Sequence, residues 1–106
     1  MNITVLGAGA WGTALAIHFA KQHHQVRLWA RDTEHVLQMK QSRSNSRYLD
    51  GFAFPPQLTL ETDLQAAISA TELVLIATPV AGLRKSVEML KIQAPALPFL
   101  WACKGL

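Results

Sequence analysis

Residues 5–15 read Val5-Leu6-Gly7-Ala8-Gly9-Ala10-Trp11-Gly12-Thr13-Ala14-Leu15, which places three glycines in the spacing G-x-G-x-x-G. A short apolar segment (Ile3 to Leu6) precedes them, and an alanine-rich segment typical of a helix follows. In this strand–turn–helix context the spacing predicts a dinucleotide-binding fingerprint. Gly7 permits the tight turn, Gly9 leaves bare backbone for a pyrophosphate, and Gly12 lets the helix approach the first strand. The free N–H groups at the helix start are expected to hold the phosphates.

On spacing alone, the alternative is a glycine-rich turn without a ligand, and the rest of the chain is needed to decide between the two. Strands and helices alternate along it. The predicted strands are Ile3 to Leu6, Gln25 to Ala30, Leu58 to Glu61, Leu73 to Ala77 and Phe99 to Cys103. Four helices are predicted: Ala10 to about Gln22, a second one ending near Ser42, Thr62 to about Ala70, and Val80 to Lys91. Asp32 or Thr33 can cap the second helix, and Thr62 has capping-box spacing to Gln65 in the third. Ser44 to Pro56 is predicted as loop.

This alternation predicts an α/β fold of the Rossmann type, a doubly wound, open parallel sheet with right-handed crossovers. With the fingerprint on the first strand, the expected strand order is 3-2-1-4-5. A complete fold of this type would add at least a sixth strand. Residues 1–106 are therefore expected to form one dinucleotide-binding domain that is incomplete at its carboxyl end and belongs to a longer protein.

Composition narrows the class of protein. Half of the residues are hydrophobic and 16% are charged, which is typical of a globular chain. The net charge of +3 comes from scattered basic residues, which gives no support to nucleic-acid binding but is compatible with a phosphate-bearing ligand. The single cysteine, Cys103, excludes an intramolecular disulfide and fits a reducing cytoplasm. No apolar run reaches the roughly 20 residues of a membrane span, and no His/Cys/Asp/Glu cluster has metal-ligand spacing. A cytoplasmic protein with no membrane insertion and no metal is expected.

Four strand ends should meet at one edge of the sheet, where ligands of such folds bind. They are the glycine turn, Arg31-Asp32, Thr78-Pro79 and Lys104-Gly105. Arg31 lies about 20 residues beyond the fingerprint, at the position facing the adenosine ribose, and an arginine there favours the 2′-phosphate of NADP over NAD. The alternative is that Arg31 is a solvated loop residue and that Asp32 caps the next helix.

For three further residues the sequence does not decide between a role in ligand binding and an ordinary position on the protein surface. Lys104, at a strand end, could hold a substrate or cofactor phosphate, or it could be a solvent-exposed lysine. Arg47 and Tyr48 lie in the long predicted loop, where they could contact a phosphate or a base, or simply form a polar loop.

Taken together, several segments resemble one family. They are Gly-Ala-Gly-Ala-Trp-Gly-Thr-Ala-Leu-Ala (Gly7 to Ala16), Leu-Trp-Ala-Arg-Asp (Leu28 to Asp32), Asn-Ser-Arg-Tyr-Leu (Asn45 to Leu49), Thr-Asp-Leu (Thr62 to Leu64), Ala-Thr-Pro (Ala77 to Pro79) and Trp-Ala-Cys-Lys-Gly-Leu (Trp101 to Leu106). In this order they resemble the amino-terminal domain of bacterial NAD(P)-dependent glycerol-3-phosphate dehydrogenase. The resemblance covers the whole chain. Asp50 departs from it, because the family usually has proline after Arg-Tyr-Leu.

The resemblance implies an enzyme that interconverts sn-glycerol 3-phosphate and dihydroxyacetone phosphate with NAD(P)(H) and feeds glycerophospholipid synthesis, with a homodimer possible for the full-length enzyme. It further implies that Ala10 and Trp11 meet the pyrophosphate and the nicotinamide side of the cofactor, and that Arg31 meets the adenosine end. Tyr48 and Pro79 would line the cofactor cleft. Lys104 would touch both the cofactor region and the substrate. The family's catalytic lysine belongs to a second, helical domain, so no catalytic residue is expected within residues 1–106.

Two alternatives belong to neighbouring classes. One is another two-domain dehydrogenase with the same fingerprint, of the ketopantoate, hydroxyacid or nucleotide-sugar type, although those lack Lys-Gly-Leu after the fifth strand. The other is a non-catalytic nucleotide-sensing module that uses the fold for ligand control.

Overall fold

A computed structural model describes residues 1–78 and 80–102, without the side chains of residues 80–83. Its elements, in chain order, are β1 (Asn2–Leu6), α1 (Ala10–Lys21), β2 (Gln25–Trp29), α2 (Thr33–Ser42), β3 (Ser44–Asn45), β4 (Leu49–Ala53), β5 (Leu58–Glu61), α3 (Leu64–Ile68), β6 (Leu73–Ile76), α4 (Val80–Gln93) and β7 (Phe99–Trp101).

Five strands form a parallel sheet in the order β5-β2-β1-β6-β7. The predicted order 3-2-1-4-5 is confirmed, since the same five segments occupy the same places and the labels differ only because β3 and β4 intervene in the chain. The glycine-bearing strand β1 is central, with Leu6 paired to Trp29 on one side and to Ile76 on the other. The carboxyl ends of β1, β2 and β6 therefore lie next to one another.

Two apolar clusters cover the two faces of the sheet. Ile3 and Val5 of β1 pack in the cluster that includes buried residues of α1 and α2, whereas Leu6 packs with residues of α3 and α4. Each central strand contributes to both clusters, which explains why β6 is a continuous apolar run rather than an alternating one. The sheet is thus doubly wound, as the sequence predicts.

The predicted loop from Ser44 to Pro56 is wrong in part, because β3 and β4 form a two-stranded antiparallel sheet there. Most side chains of β4 are exposed, so the segment lacks the apolar alternation that would reveal a strand. Gly51 lies within β4 at a φ of +91°, so what reads as a loop residue in the sequence is a strand residue in a left-handed conformation.

The start of the third helix also differs from the prediction. Asp63, not Thr62, is its N-cap, since the Asp63 carboxylate accepts a hydrogen bond from the backbone N–H of Gln65 at 3.2 Å. The helix ends at Ile68 rather than near Ala70, because the C-cap residue Ser69 is already extended, with a ψ of 128°, and Ala70 follows in a left-handed backbone with a φ of +59°. Arg27 donates to three carbonyls at this helix end, those of Ala66, Ala67 and Ser69.

Other boundaries shift by one or two residues. β2 and β6 each end one residue before the predicted end, and α4 continues to Gln93. β7 ends at Trp101, and Cys103 lies outside the described residues. Within the described part of the chain, no helix combines the length and hydrophobicity that crossing a membrane requires.

Candidate functional site

A cleft of about 610 Å³ opens at the edge where the carboxyl ends of β1, β2 and β6 meet. This volume lies within the range of small-molecule and cofactor sites. Its walls are built from the glycine loop and the first turn of α1, the end of β2, the end of β6, one face of α4, and Tyr48. The lining residues are Gly7, Ala8, Gly9, Ala10, Trp11, Trp29, Ala30, Arg31, Asp32, His35, Tyr48, Ala77, Thr78, Lys85, Ser86 and Met89.

Gly7 is required by its conformation and by its neighbours. Its φ is +112°, which L side chains rarely adopt, and a Cβ there would lie 3.0 Å from backbone atoms of Ala77 and Thr78. The turn after β1 therefore approaches the end of β6 backbone to backbone. This close approach forms the floor of the cleft.

Gly9 is the N-cap of α1 and has an ordinary extended backbone, with a φ of −76°. A Cβ built on Gly9 would meet no atom within 4 Å. Glycine here is therefore not explained by strain or by protein packing. It keeps open the space beside the first turn of the helix.

The amino terminus of α1 is left available to an anion. Gly9 has no side chain to cap the helix, and the first turn of α1 carries no acidic residue. By contrast, the carboxylates of Asp32 and Asp63 cap α2 and α3. The first N–H groups of a helix have no intrahelical acceptor, and at α1 they carry the positive end of the helix dipole into the cleft.

Gly12 lies behind the cleft rather than on its wall. It is buried, and a Cβ there would overlap the carbonyl oxygen of Gly7 and lie 3.2 Å from Cβ of Ala77. Its role is to let α1 pack against the turn. The turn predicted at Gly7 and the close helix approach predicted at Gly12 agree with this geometry.

Arg31 and Asp32 follow β2 and diverge in what they do. The Asp32 carboxylate accepts from the N–H groups of Glu34 (3.0 Å) and His35 (3.2 Å) and pairs with Arg47 at 3.4 Å. The His35 N–H makes the largest contribution and lowers the pKa of Asp32; desolvation is next in size and opposes it, and the contacts from Arg47 and Glu34 lower the pKa further. Within the described residues, no hydrogen bond or ion pair engages the exposed guanidinium of Arg31, which lines the cleft. Asp32 therefore caps α2, while the charge of Arg31 remains available to a ligand.

Tyr48 forms another wall. Half of its surface is exposed, and its ring packs edge-on against the buried ring of His35, with 5.4 Å between centroids. Its backbone N–H donates to the side chain of Asn45 at 3.3 Å. The Arg47 guanidinium lies 6.0 Å from the centroid of the Tyr48 ring. Tyr48 thus offers an aromatic surface, supported by the His35 ring, on which a flat group could stack.

Trp11 connects the first turn of α1 to the end of the last strand. Its indole Nε1–H donates to the carbonyl oxygen of Ala102, just beyond β7. The ring is 41% exposed and lines the cleft. One side chain therefore both shapes the cleft and links it to the end of β7.

The structure brings together six of the nine predicted site residues, namely Gly7, Gly9, Ala10, Trp11, Arg31 and Tyr48. Gly12 is buried behind them. Pro79 and Lys104 lie outside the described residues.

Sequence reasoning missed several wall residues. His35 and Trp29 were assigned only to a helix and a strand. Lys85, Ser86 and Met89 belong to α4, where the i, i+4 spacing of Lys85 and Met89 places them on one face. α4 follows β6, the strand next to β1. The i, i+4 spacing of Lys85 and Met89 on this helix is therefore the sequence signal that could have identified them as wall residues.

Comparison with known proteins assigns the chain to a family. Residues 2–106 match the model of the family described as NAD-dependent glycerol-3-phosphate dehydrogenase N-terminus. The chain belongs to this family.

Relatives named glycerol-3-phosphate dehydrogenase [NAD(P)+] are similar over the same span. The protein of Neisseria gonorrhoeae is 53% identical over 99% of this chain, and that of Aromatoleum aromaticum is 50% identical over all of it. A crystal structure of glycerol-3-phosphate dehydrogenase from Coxiella burnetii, 36% identical, superposes with a TM-score of 0.93 over 99% of this chain and 33% of its own. A Plasmodium falciparum structure of that name, 24% identical over 95% of this chain and 31% of its own, shares the fold with a TM-score of 0.80. The chain spans 32% of the length of the two curated relatives.

Proposed function

We propose that this chain binds NADP(H) in the cleft and forms the cofactor-binding part of a glycerol-3-phosphate dehydrogenase. The observation that carries the proposal is the uncapped amino terminus of α1 beside the open space at Gly9. Bare amides at the positive end of a helix are suited to a pyrophosphate. Family membership supports the same ligand class.

The residues present fit a dinucleotide along the cleft. The pyrophosphate would lie against Gly9, Ala10 and Trp11, the adenosine would extend toward Arg31, and Tyr48 would pack against the cofactor. Lys104, at the end of the fifth predicted strand, would contact the cofactor and the substrate phosphate. Pro79 would line the same cleft. When bound, the cofactor supplies the hydride chemistry, and these residues bind and orient it.

The proposed reaction is the interconversion of sn-glycerol 3-phosphate and dihydroxyacetone phosphate. Supporting it are the names of relatives at 50 to 53% identity. In this proposal residues 1–106 bind and orient the cofactor, and the group that exchanges a proton with the substrate belongs to another part of the enzyme. We therefore expect the 106-residue chain to bind cofactor without catalysing steady-state reduction of dihydroxyacetone phosphate.

The preference for NADP rests on the different tasks of Arg31 and Asp32. Asp32 is occupied by the cap of α2 and by Arg47, so its carboxylate is poorly placed to bind a ribose 2′-hydroxyl. The guanidinium of Arg31 can instead pair with a 2′-phosphate through two N–H donors. Lys85, on the α4 wall, adds a second positive charge to the cleft.

Titration of the 106-residue chain with NADPH and NADH tests this assignment. Arg31→Ala should weaken NADPH binding by about 1.5–3 kcal/mol, roughly 10- to 150-fold in Kd, and change NADH binding little. Lys40→Ala is the matched control, because it removes one exposed positive charge from α2 without touching the cleft. Equal losses for the two cofactors would refute the 2′-phosphate role. Absence of NADPH binding by the wild-type chain would refute the cofactor site itself.

A further inference from the structure

Asn45 is a buried polar residue to which sequence reasoning gave no role of its own. Its side chain is 1% exposed, yet its amide makes four hydrogen bonds. Nδ2 donates to the carbonyl of Ala8 (2.9 Å) and to Oγ1 of Thr13 (2.8 Å). Oδ1 accepts from the N–H of Tyr48 (3.3 Å) and pairs with Nε2 of His35 (2.9 Å). One side chain therefore joins the glycine loop, α1, α2 and the segment that carries Tyr48.

The orientation of this amide follows from its partners. A backbone carbonyl only accepts, so the atom facing Ala8 must be the NH2 group. Oδ1 in turn only accepts, so Nε2 of His35 carries the proton in that contact. All four hydrogen-bonding positions of the amide are satisfied, which is how a fully buried Asn side chain is tolerated.

The bond to Ala8 determines the direction of the next peptide group. In a trans peptide the C=O and the following N–H point in opposite directions. Because Asn45 holds the Ala8 carbonyl toward the interior, the N–H of Gly9 points away from Asn45, and both Ala8 and Gly9 line the cleft. Glycine offers little resistance to rotation of this peptide plane, so the orientation needs a fixed partner.

We infer that Asn45 is a positioning residue that holds the Ala8–Gly9 peptide with the Gly9 N–H directed at the cofactor pyrophosphate. The inference rests on the proposed function. It assigns the same side chain a second task, since Oδ1 anchors the backbone of Tyr48 while its partner His35 supports the Tyr48 ring. The phosphate and aromatic walls of the cleft are thus set by one buried amide.

Amide NMR of the 15N-labelled wild-type chain titrated with NADPH tests the direction of the Gly9 N–H without a substitution. The Gly9 amide proton is expected to move downfield as it donates to a phosphate oxygen. If the resonances of Trp11 and Arg31 shift and that of Gly9 does not, the inference is overturned while the proposed function stands. If none of them shifts, the proposed function fails.

Asn45→Leu tests the anchor itself, because leucine has nearly the same size and no donor. We expect the downfield shift of Gly9 to be lost and the Kd to rise about tenfold or more for NADPH and NADH alike, since both carry the pyrophosphate. Asn45→Ser, which is too short to reach Ala8, replaces it if the leucine variant does not fold. Thr4→Val is the matched control, a fully buried hydrogen-bonded residue outside the cleft, and should leave both readouts unchanged. An unaltered Gly9 shift in a folded Asn45 variant would overturn the inference.

Discussion

Gly12 packs its α-carbon against the carbonyl oxygen of Gly7, five residues earlier in the chain. A Cβ at Gly12 would overlap that oxygen, and its other neighbours are the carbonyl carbon of Gly7 and Cβ of Ala77, neither of which belongs to a side chain that can swing aside. The contact fixes how closely α1 approaches the turn after β1. It thereby fixes where the first amides of α1 stand relative to the end of β6.

Gly12→Ala should therefore destabilise the fold, by about 2–3 kcal/mol, because the added methyl must displace packed backbone. Urea unfolding measures the effect as a lower midpoint at an unchanged slope. Gly9→Ala is the matched control, since its φ of −76° suits alanine and its Cβ would meet open space. Unfolding midpoints that fall equally in the two variants would contradict the distinction between the two glycines.

Gly9→Ala should instead affect ligand binding. The methyl would occupy the space next to the first amides of α1, which the proposed pyrophosphate needs. We expect Kd to rise about tenfold or more for both NADPH and NADH, with stability within about 1 kcal/mol of wild type, since alanine is a poorer N-cap than glycine. Fluorescence titration of the dihydronicotinamide provides the measurement. Wild-type affinity in this variant would mean that the phosphates bind elsewhere.

Much of the fold could be predicted because local sequence patterns identify the strands of the main sheet. The continuous apolar run of β6 and the glycine turn after β1 identify a parallel sheet and its central strand. From that order, the meeting of the strand ends follows by topology, which is why Arg31 could be assigned to the cleft from sequence spacing.

The remainder of the site depends on tertiary contacts that leave no local pattern. Asn45 is followed by exposed residues in a segment rich in loop-forming types, so nothing in the sequence marks it as buried. Its burial results from partners 10 to 37 residues away, including His35, Thr13 and Ala8. The Asp63 cap was missed for a different reason, because Thr62 satisfies the capping-box spacing and the choice between neighbours depends on backbone geometry.

Asp32 should make stability depend on pH at the acidic end. Its pKa is lowered in the folded chain below the ordinary value of 3.8, chiefly by the His35 N–H, so the ionised form favours folding. The contribution is fully present above that ordinary value and is lost as the pH falls through the folded pKa. Asp32→Asn keeps a capping oxygen but does not titrate. The unfolding free energy of wild type minus that of the variant, measured from pH 2 to 7, should increase as the pH rises and level off near neutrality. A difference that is constant across this range would contradict the assignment.

Substitution of alanine by glycine should have opposite effects on stability at Ala70 and at Ala66. Ala70 is exposed and adopts a left-handed backbone with a φ of +59°, so Ala70→Gly should relieve steric strain and stabilise the chain by about 0.5–1 kcal/mol. Ala66 is exposed within α3, where Ala66→Gly should cost about 0.5–1 kcal/mol through lost helix propensity. Both residues use only their carbonyls in hydrogen bonds to side chains, from Asn2 and Arg27, and glycine retains these. Urea unfolding of the two variants should move the midpoint in opposite directions. Destabilisation by both would show that the conformational freedom glycine adds to the unfolded chain outweighs the strain at Ala70.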